Sequence, residues 1–167
     1  MPNWCYNELN LSIKDSAKDR GIEVLRAFTD DNPFNAVLPN PSGKWEYDWS
    51  CQNWGTKWDV DVCVNTDLKL FGDTWVVSVT FDSAWAPPEQ LYQYISEQYP
   101  DIELSAYWEE PGCGQKGTFD ANEGMFSSTI EDYVWEIDEE VINLPDTQAT
   151  PNVGAATVLP LPGGNTK

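Results

Sequence analysis

Leu9, Leu11 and Ile13 recur with period two, with polar residues between them. That alternation predicts a half-buried strand. Ser16-Ala17-Lys18-Asp19 has the form of a capping box, and Ile22, Leu25 and Phe28 follow at helical spacing, so a helix is expected next. From Thr29 to Gly55 the pattern dissolves into Asn, Pro, Gly and Ser clusters interspersed with Phe34, Trp45, Tyr47, Trp49 and Trp54. This stretch reads as a long aromatic loop, and long loops inside compact domains often carry function. Trp58, Val60, Val62 and Val64 then alternate with Asp59, Asp61, Cys63 and Asn65, which predicts a second strand. A turn at Phe71-Gly72-Asp73 leads to a third, with Trp75, Val77, Val79 and Phe81 inward, and the two strands make an antiparallel hairpin. Trp58 and Trp75 are expected in the core.

Pro87 and Pro88 suit the first turn of a helix whose apolar side is Leu91, Tyr92, Ile95 and Tyr99, with Pro100 as its stop. Ile102, Leu104, Ala106 and Trp108 alternate as a further strand. The order is βαββαβ. It predicts an α+β fold: a ferredoxin-like antiparallel sheet with two helices on one face. Beyond it, Gly117-Thr118-Phe119 and Gly124-Met125-Phe126 flank a turn and suggest another hairpin. Ile130, Val134, Ile137, Val141 and Leu144 are spaced as a helical stripe, so residues 130–143 read as an acidic C-terminal helix, with extension of the sheet as the alternative. The domain is expected to span residues 1–145. Residues 146–167 lack apolar periodicity and read as a flexible tail.

The length of 167 residues suits one domain, and 41% hydrophobic residues suffice for a core. The charge narrows the function. Nine basic against 28 acidic residues leave a net charge of −19. Such a surface repels nucleic acid and anionic lipid. With no histidine in the chain, histidine-based triads and histidine-ligated metals are excluded. Neither a bilayer-spanning stretch nor a signal-peptide pattern is visible, so the cytoplasm is the expected compartment, with thiols reduced. Cys5, Cys51, Cys63 and Cys113 are separated by 46, 12 and 50 positions. Metal knuckles need close pairs, so no metal or other cofactor is expected.

Four motifs resemble the YubB-type family of plasmid and phage proteins. They are Met1-Pro2-Asn3-Trp4-Cys5 with Asn7, Trp54-Gly55-Thr56-Lys57-Trp58-Asp59, Phe81-Asp82-Ser83-Ala84-Trp85-Ala86-Pro87-Pro88, and Tyr107-Trp108-Glu109-Glu110-Pro111-Gly112-Cys113-Gly114. The resemblance covers residues 1–7 and 54–119. It implies a ferredoxin-like fold and an origin on mobile elements, and it transfers no catalytic residue.

Glu131, Asp132, Glu136, Asp138, Glu139 and Glu140 fall within ten residues without a basic neighbour. They read either as a solvated face that keeps the chain soluble or as a nucleic-acid mimic. In the second reading those six acids, with Asp59 and Asp61 as a second patch, contact a basic, nucleic-acid-binding surface on a host protein. The expected function is therefore non-enzymatic inhibition of host defence by a phage or plasmid protein, with no direct nucleic-acid or membrane binding. Two alternatives stand beside it. Trp54, Lys57, Trp85 and Trp108 could form an aromatic pocket that sequesters a nucleotide signal, with Lys57 over an indole ring, although Arg20 and Arg26 are the chain's only arginines and phosphates usually need such partners. Asp59 and Asp61, about 7 Å apart on one strand face, could instead serve a metal-dependent hydrolase.

Overall fold

The computed structural model describes residues 3–133. The stripe residues Val134, Ile137, Val141 and Leu144, the acids Glu136, Asp138, Glu139 and Glu140, the boundary near Pro145 and the tail 146–167 lie outside the described residues.

Six strands form one sheet among the described residues: β1 (Trp4–Lys14), β2 (Cys63–Phe71), β3 (Thr74–Ala84), β4 (Ile102–Glu110), β5 (Gln115–Asn122) and β6 (Met125–Asp132). Their order is β2-β3-β1-β4-β5-β6, and every neighbouring pair is antiparallel. The first four positions reproduce the expected split βαβ plan, and the β5–β6 hairpin extends the sheet beyond β4. β1 lies at the centre and alternates as its sequence requires. Cys5, Asn7, Leu9, Leu11 and Ile13 are buried, while Trp4, Tyr6, Glu8, Asn10 and Lys14 are exposed. Val77, Val79 and Phe81 of β3 and Leu104, Ala106 and Trp108 of β4 continue the buried side.

That side is covered by α1 (Ile22–Ala27) and α4 (Glu89–Gln98). α4 places Leu91, Tyr92 and Ile95 inward as their spacing predicts, with Pro88 at its N-cap. α1 starts differently from expectation. Residues Asp15–Arg20 form a 3-10 turn, and Gly21 occupies the N-cap with no side-chain cap, so Ser16 opens no capping box. Glycine is needed at position 21 for space: a Cβ there would come 2.9 Å from Ile102 and 3.0 Å from Ile13.

The segment from Thr29 to Gly55 is not a plain loop. It holds two short helices, α2 (Pro33–Val37) and α3 (Tyr47–Asn53). Neither is long enough to be stable through propensity, so packing must hold them. Phe34, fully buried on α2, supplies that packing. Its ring meets Phe28 of the α1 C-cap at 6.4 Å, Phe81 of β3 at 5.6 Å and Trp54 at 6.0 Å, all edge to face. Trp49 of α3 meets Trp54 in turn at 5.3 Å.

Two strand expectations are also corrected. β2 begins at Cys63 rather than Trp58. Val60 still enters the core, but Trp58 and Asp59 are only half-buried and Asp61 is exposed. Asp59 turns back toward α2, which breaks the alternation, and register shifts between Val64 and Thr66 and between Thr66 and Lys69 break it again. At the other end, residues 130–132 belong to β6 rather than to a helix. Ile130 pairs with Gly117, where a Cβ would come 2.0 Å from the Thr129 carbonyl oxygen. That close hairpin approach decides for the sheet over the helical spacing.

Phe34→Ala is expected to cost about 3–5 kcal/mol, because a large ring is removed from a site with no other group to fill it. Urea unfolding measures the loss. A cost below about 1 kcal/mol would mean that α2 and α3 are held by something other than this ring.

Candidate functional site

The four sequence motifs first meet at one end of the sheet, where β1 begins and β3 and β4 end. In register, Trp4 faces Ala84, and Tyr6 faces both Asp82 and Glu109. Asn7 Nδ2 donates to the Cys5 carbonyl and to Ser83 Oγ, each at 2.8 Å, and Ser83 Oγ donates to the Ala86 carbonyl at 2.8 Å. Thr56 Oγ1 donates to the Ala84 carbonyl at 2.9 Å and accepts from its N–H at 3.1 Å. The Trp85 N–H donates to the Asn3 carbonyl at 2.9 Å. Glu110 is buried, and its carboxylate accepts the N–H groups of Gly112 and Cys113. Gly55 has a φ of +90°, and a Cβ there would fall 2.1 Å from Gln90 Oε1. These residues are therefore joints that tie strand ends, the β4–β5 loop and the start of α4 together.

The thiols in this region are poor nucleophiles. Burial pushes the Cys5 thiol up to about 12, against smaller opposing effects of Ser83 and Asn7 hydrogen bonds. Cys113 is also raised, first by its hydrogen bond to Glu110.

The second feature is the bare face of the sheet. Because side chains alternate, the residues that do not enter the core project from the opposite face. Register aligns them in rows across the strands. One row runs Asp82, Tyr6, Glu109, Lys116, Glu131; the next runs Thr80, Glu8, Tyr107, Thr118, Thr129; a third runs Ser78, Asn10, Ser105, Asp120, Ser127. Glu103 stands opposite Ser12 beyond them. Six carboxylates thus share one face. It holds a hollow of about 990 Å³ whose lining includes Asn10, Ser12, Ser78, Ser105 and Asp120 together with the apolar Phe71, Val76 and Met125. Two phenols on this face are shifted upward. Tyr6 is raised first by burial and then by Glu8, Glu109 and Asp82. Tyr107 is raised to about 12, first by burial and then by its 2.9 Å hydrogen bond to Glu109.

Of the acids singled out in the sequence, Glu131 joins this face, and its neighbour Asp132 pairs with Gln115 on the opposite side of β6. A strand separates adjacent residues to opposite faces, so the two do not form one stripe. Asp59 and Asp61 form no strand-face pair either. Asp59 is committed to structure. Its carboxylate accepts the N–H of Phe34 at 3.0 Å, of Asn35 at 2.7 Å and of Val60 at 2.9 Å. Burial nevertheless raises its carboxyl above the usual range, so desolvation outweighs the three bonds.

The expected aromatic pocket is also rearranged. Trp54 is buried with its indole N–H on the Leu38 carbonyl at 2.9 Å. Lys57 Nζ lies 4.5 Å from the Trp58 ring centroid, the cation–π contact its neighbours suggested. Trp85 is exposed, at a φ of +73°, and Trp108 is buried on β4 against Phe119. Trp75 is half-buried rather than a core residue, and its indole N–H donates to Asp15 at 2.8 Å. A cleft of about 500 Å³ does form, and Trp54 lines it, but its other walls include Trp45, Trp58, Asn35, Asn40 and Lys44. Lys57, Trp85 and Trp108 do not line it. The turn-rich Asn40-Pro41-Ser42-Gly43-Lys44 run is the sequence signal that could have located this cleft. Arg20 pairs with Asp101 at 2.6 Å and Arg26 with Glu23 at 2.5 Å, so neither belongs to the cleft.

Sheet order, helix placement and the sheet-end network define a ferredoxin-like domain. Residues 57–151, more than half of the chain, match the family described as the ferredoxin-like domain in Api92-like protein. The chain belongs to that family. A solved structure, the crystal structure of a protein api92 from Yersinia pseudotuberculosis, is similar at 16% identity with a TM-score of 0.44. The similarity covers 62% of this chain and 40% of that one, so the chain spans well under two thirds of that protein. No curated protein matches the chain. Among the described residues, no helix is long and apolar enough to cross a membrane.

Asp59→Ala is expected to cost about 1–2 kcal/mol, since it strips the acceptor from the first N–H groups of α2. Asp61→Ala, at an exposed position, is expected to stay within about 0.5 kcal/mol. Urea unfolding of both variants checks this, and equal effects would refute the structural assignment of Asp59.

Proposed function

We propose that this chain is a non-enzymatic binding protein that presents its bare sheet face to a basic, nucleic-acid-binding protein, in place of the nucleic acid. The observation that carries the reading is the placement of Glu8, Asp82, Glu103, Glu109, Asp120 and Glu131 on one uncovered face. Carboxylates two residues apart on a strand are separated by about 7 Å, and those two strands apart by about 10 Å, on a backbone held by the sheet's own hydrogen bonds. A rigid anionic array of this kind addresses cationic grooves built for phosphates. Three lysines share the face without reversing its sign. Lys14 pairs with Asp73 at 3.3 Å, Lys69 Nζ sits 4.5 Å from the Phe71 ring centroid, and Lys116 stands in register between Glu109 and Glu131.

Asp132, Glu136, Asp138, Glu139 and Glu140 follow Glu131 in the chain and add to the chain's negative charge. The YubB-type motifs support a mobile-element setting, in which the partner is a host-defence protein in the host cytoplasm. A metal-dependent hydrolase finds no such support, since Asp59 turns toward α2 to bind backbone N–H groups while Asp61 is exposed, and the two share no strand face.

The test is capture of nucleic-acid-binding proteins on the immobilised full chain. The captured protein is expected to be released by excess duplex DNA, and its affinity to fall about tenfold or more between low and high salt. Joint neutralisation by Glu8→Gln, Asp82→Asn, Glu109→Gln and Asp120→Asn is expected to abolish capture while leaving the melting temperature intact. Binding that ignores salt, DNA and this variant would overturn the proposal.

A further inference from the structure

On the uncovered sheet face, tyrosine rings alternate with carboxylates. In register, Tyr6 of β1 stands between Asp82 of β3 and Glu109 of β4, and Glu8 follows two residues along β1. Tyr107 of β4 stands beside Glu8 in the next row, with Glu109 two residues along its own strand. Each ring therefore has carboxylates both across the sheet and along its strand. Neighbouring strands are about 5 Å apart, and alternate residues of one strand about 7 Å apart, so a cation laid over either ring is close to all of them. Tyr6 is 37% exposed, Tyr107 is half-buried, and Glu8 and Asp82 are exposed. The Tyr107 hydroxyl donates to Glu109 at 2.9 Å and holds that carboxylate next to the ring.

Carboxylates alone attract any cation. Rings set among them distinguish between two kinds. A lysine ammonium is a compact, strongly hydrated point charge. A guanidinium is planar and weakly hydrated. It stacks on an aromatic face, and its N–H fork meets a carboxylate through two parallel hydrogen bonds. Both demands are met at Tyr6 and Tyr107. The chain's own guanidinium groups are engaged elsewhere, Arg20 with Asp101 and Arg26 with Glu23. The one cation in these two rows, Lys116, stands beyond Glu109 on β5, two strands from Tyr6.

We propose that this face selects arginine over lysine in its partner: guanidinium groups of a partner segment stack on Tyr6 and Tyr107 and bond the carboxylates of Asp82, Glu8 and Glu109. The selection rests on the reading of the acidic face as a partner surface, and it adds which basic side chain that surface takes.

Calorimetric titration of the full chain with hexa-arginine and with hexalysine, equal in length and charge, tests this at low salt. Hexa-arginine is expected to bind at least about tenfold tighter. Tyr6→Leu with Tyr107→Leu removes both rings and keeps every carboxylate. It is expected to lower hexa-arginine affinity to that of hexalysine and to leave hexalysine affinity unchanged. Tyr6→Phe with Tyr107→Phe keeps the rings and is expected to retain the preference, which separates lost stacking from disturbed strands. Tyr47→Leu, at an exposed ring on α3, is expected to alter neither affinity. Equal affinities for the two peptides would overturn the selection while leaving the acidic face as a partner surface. So would a preference that survives the leucine pair or is lost in the phenylalanine pair. Binding of neither peptide would overturn the selection and the partner surface together.

Discussion

The burial of the Phe34 ring is the contact on which the rest of this molecule's organisation depends. The connection from α1 to β2 is long and carries only two short helices. Without a tertiary anchor, helices of five and seven residues would not persist in water. Phe34 joins α2 to the end of α1, to β3 and to Trp54 through three edge-to-face contacts, each worth about 0.5–1.5 kcal/mol beyond the area buried. Asp59 completes the same joint from the other end by receiving the first N–H groups of α2. The cleft walls, from Asn40 to Trp58, are positioned by this joint.

A second constraint separates the two faces of the sheet. One is sealed by α1 and α4 over a core that includes Leu9, Leu11, Val79, Leu91 and Ile95. The other has no helix among the described residues and carries serine, threonine, asparagine, tyrosine, lysine and carboxylate side chains, with Phe71, Val76 and Met125 beside them. The chain's acidity is tolerated here because the carboxylates stay near water and are spread over several strands, which keeps mutual repulsion small. Glu110, the one fully buried acid among the described residues, is satisfied by two backbone N–H groups.

The two faces also differ in what their residues do. The motif residues at the sheet end mostly hold the fold. Asn7 Nδ2, Thr56 Oγ1, Ser83 Oγ and the Glu110 carboxylate are spent on backbone or on one another. Their distinctive spacing in the sequence is explained by the joints they make.

Much of the architecture was written in local pattern. Period-two alternation in β1, β3 and β4, the proline-bounded stripe of α4 and the turns of both hairpins follow from side-chain geometry over a few residues. So the βαββαβ order, the buried face and the excess of acid were determined by the sequence alone. Tertiary structure decided the rest. Whether Ile130 belonged to a helix or a strand depended on Gly117, thirteen positions away. Asp59 became a cap rather than a surface charge because α2, 25 residues earlier, presented unpaired N–H groups to it. Trp45, Trp58 and Asn40 became one cleft, and Trp85 and Trp108 were excluded, through folding of the connection around Phe34. Local spacing specifies which face a residue takes. It carries no information about which distant groups will be left unpaired nearby, and that pairing is what sets a site.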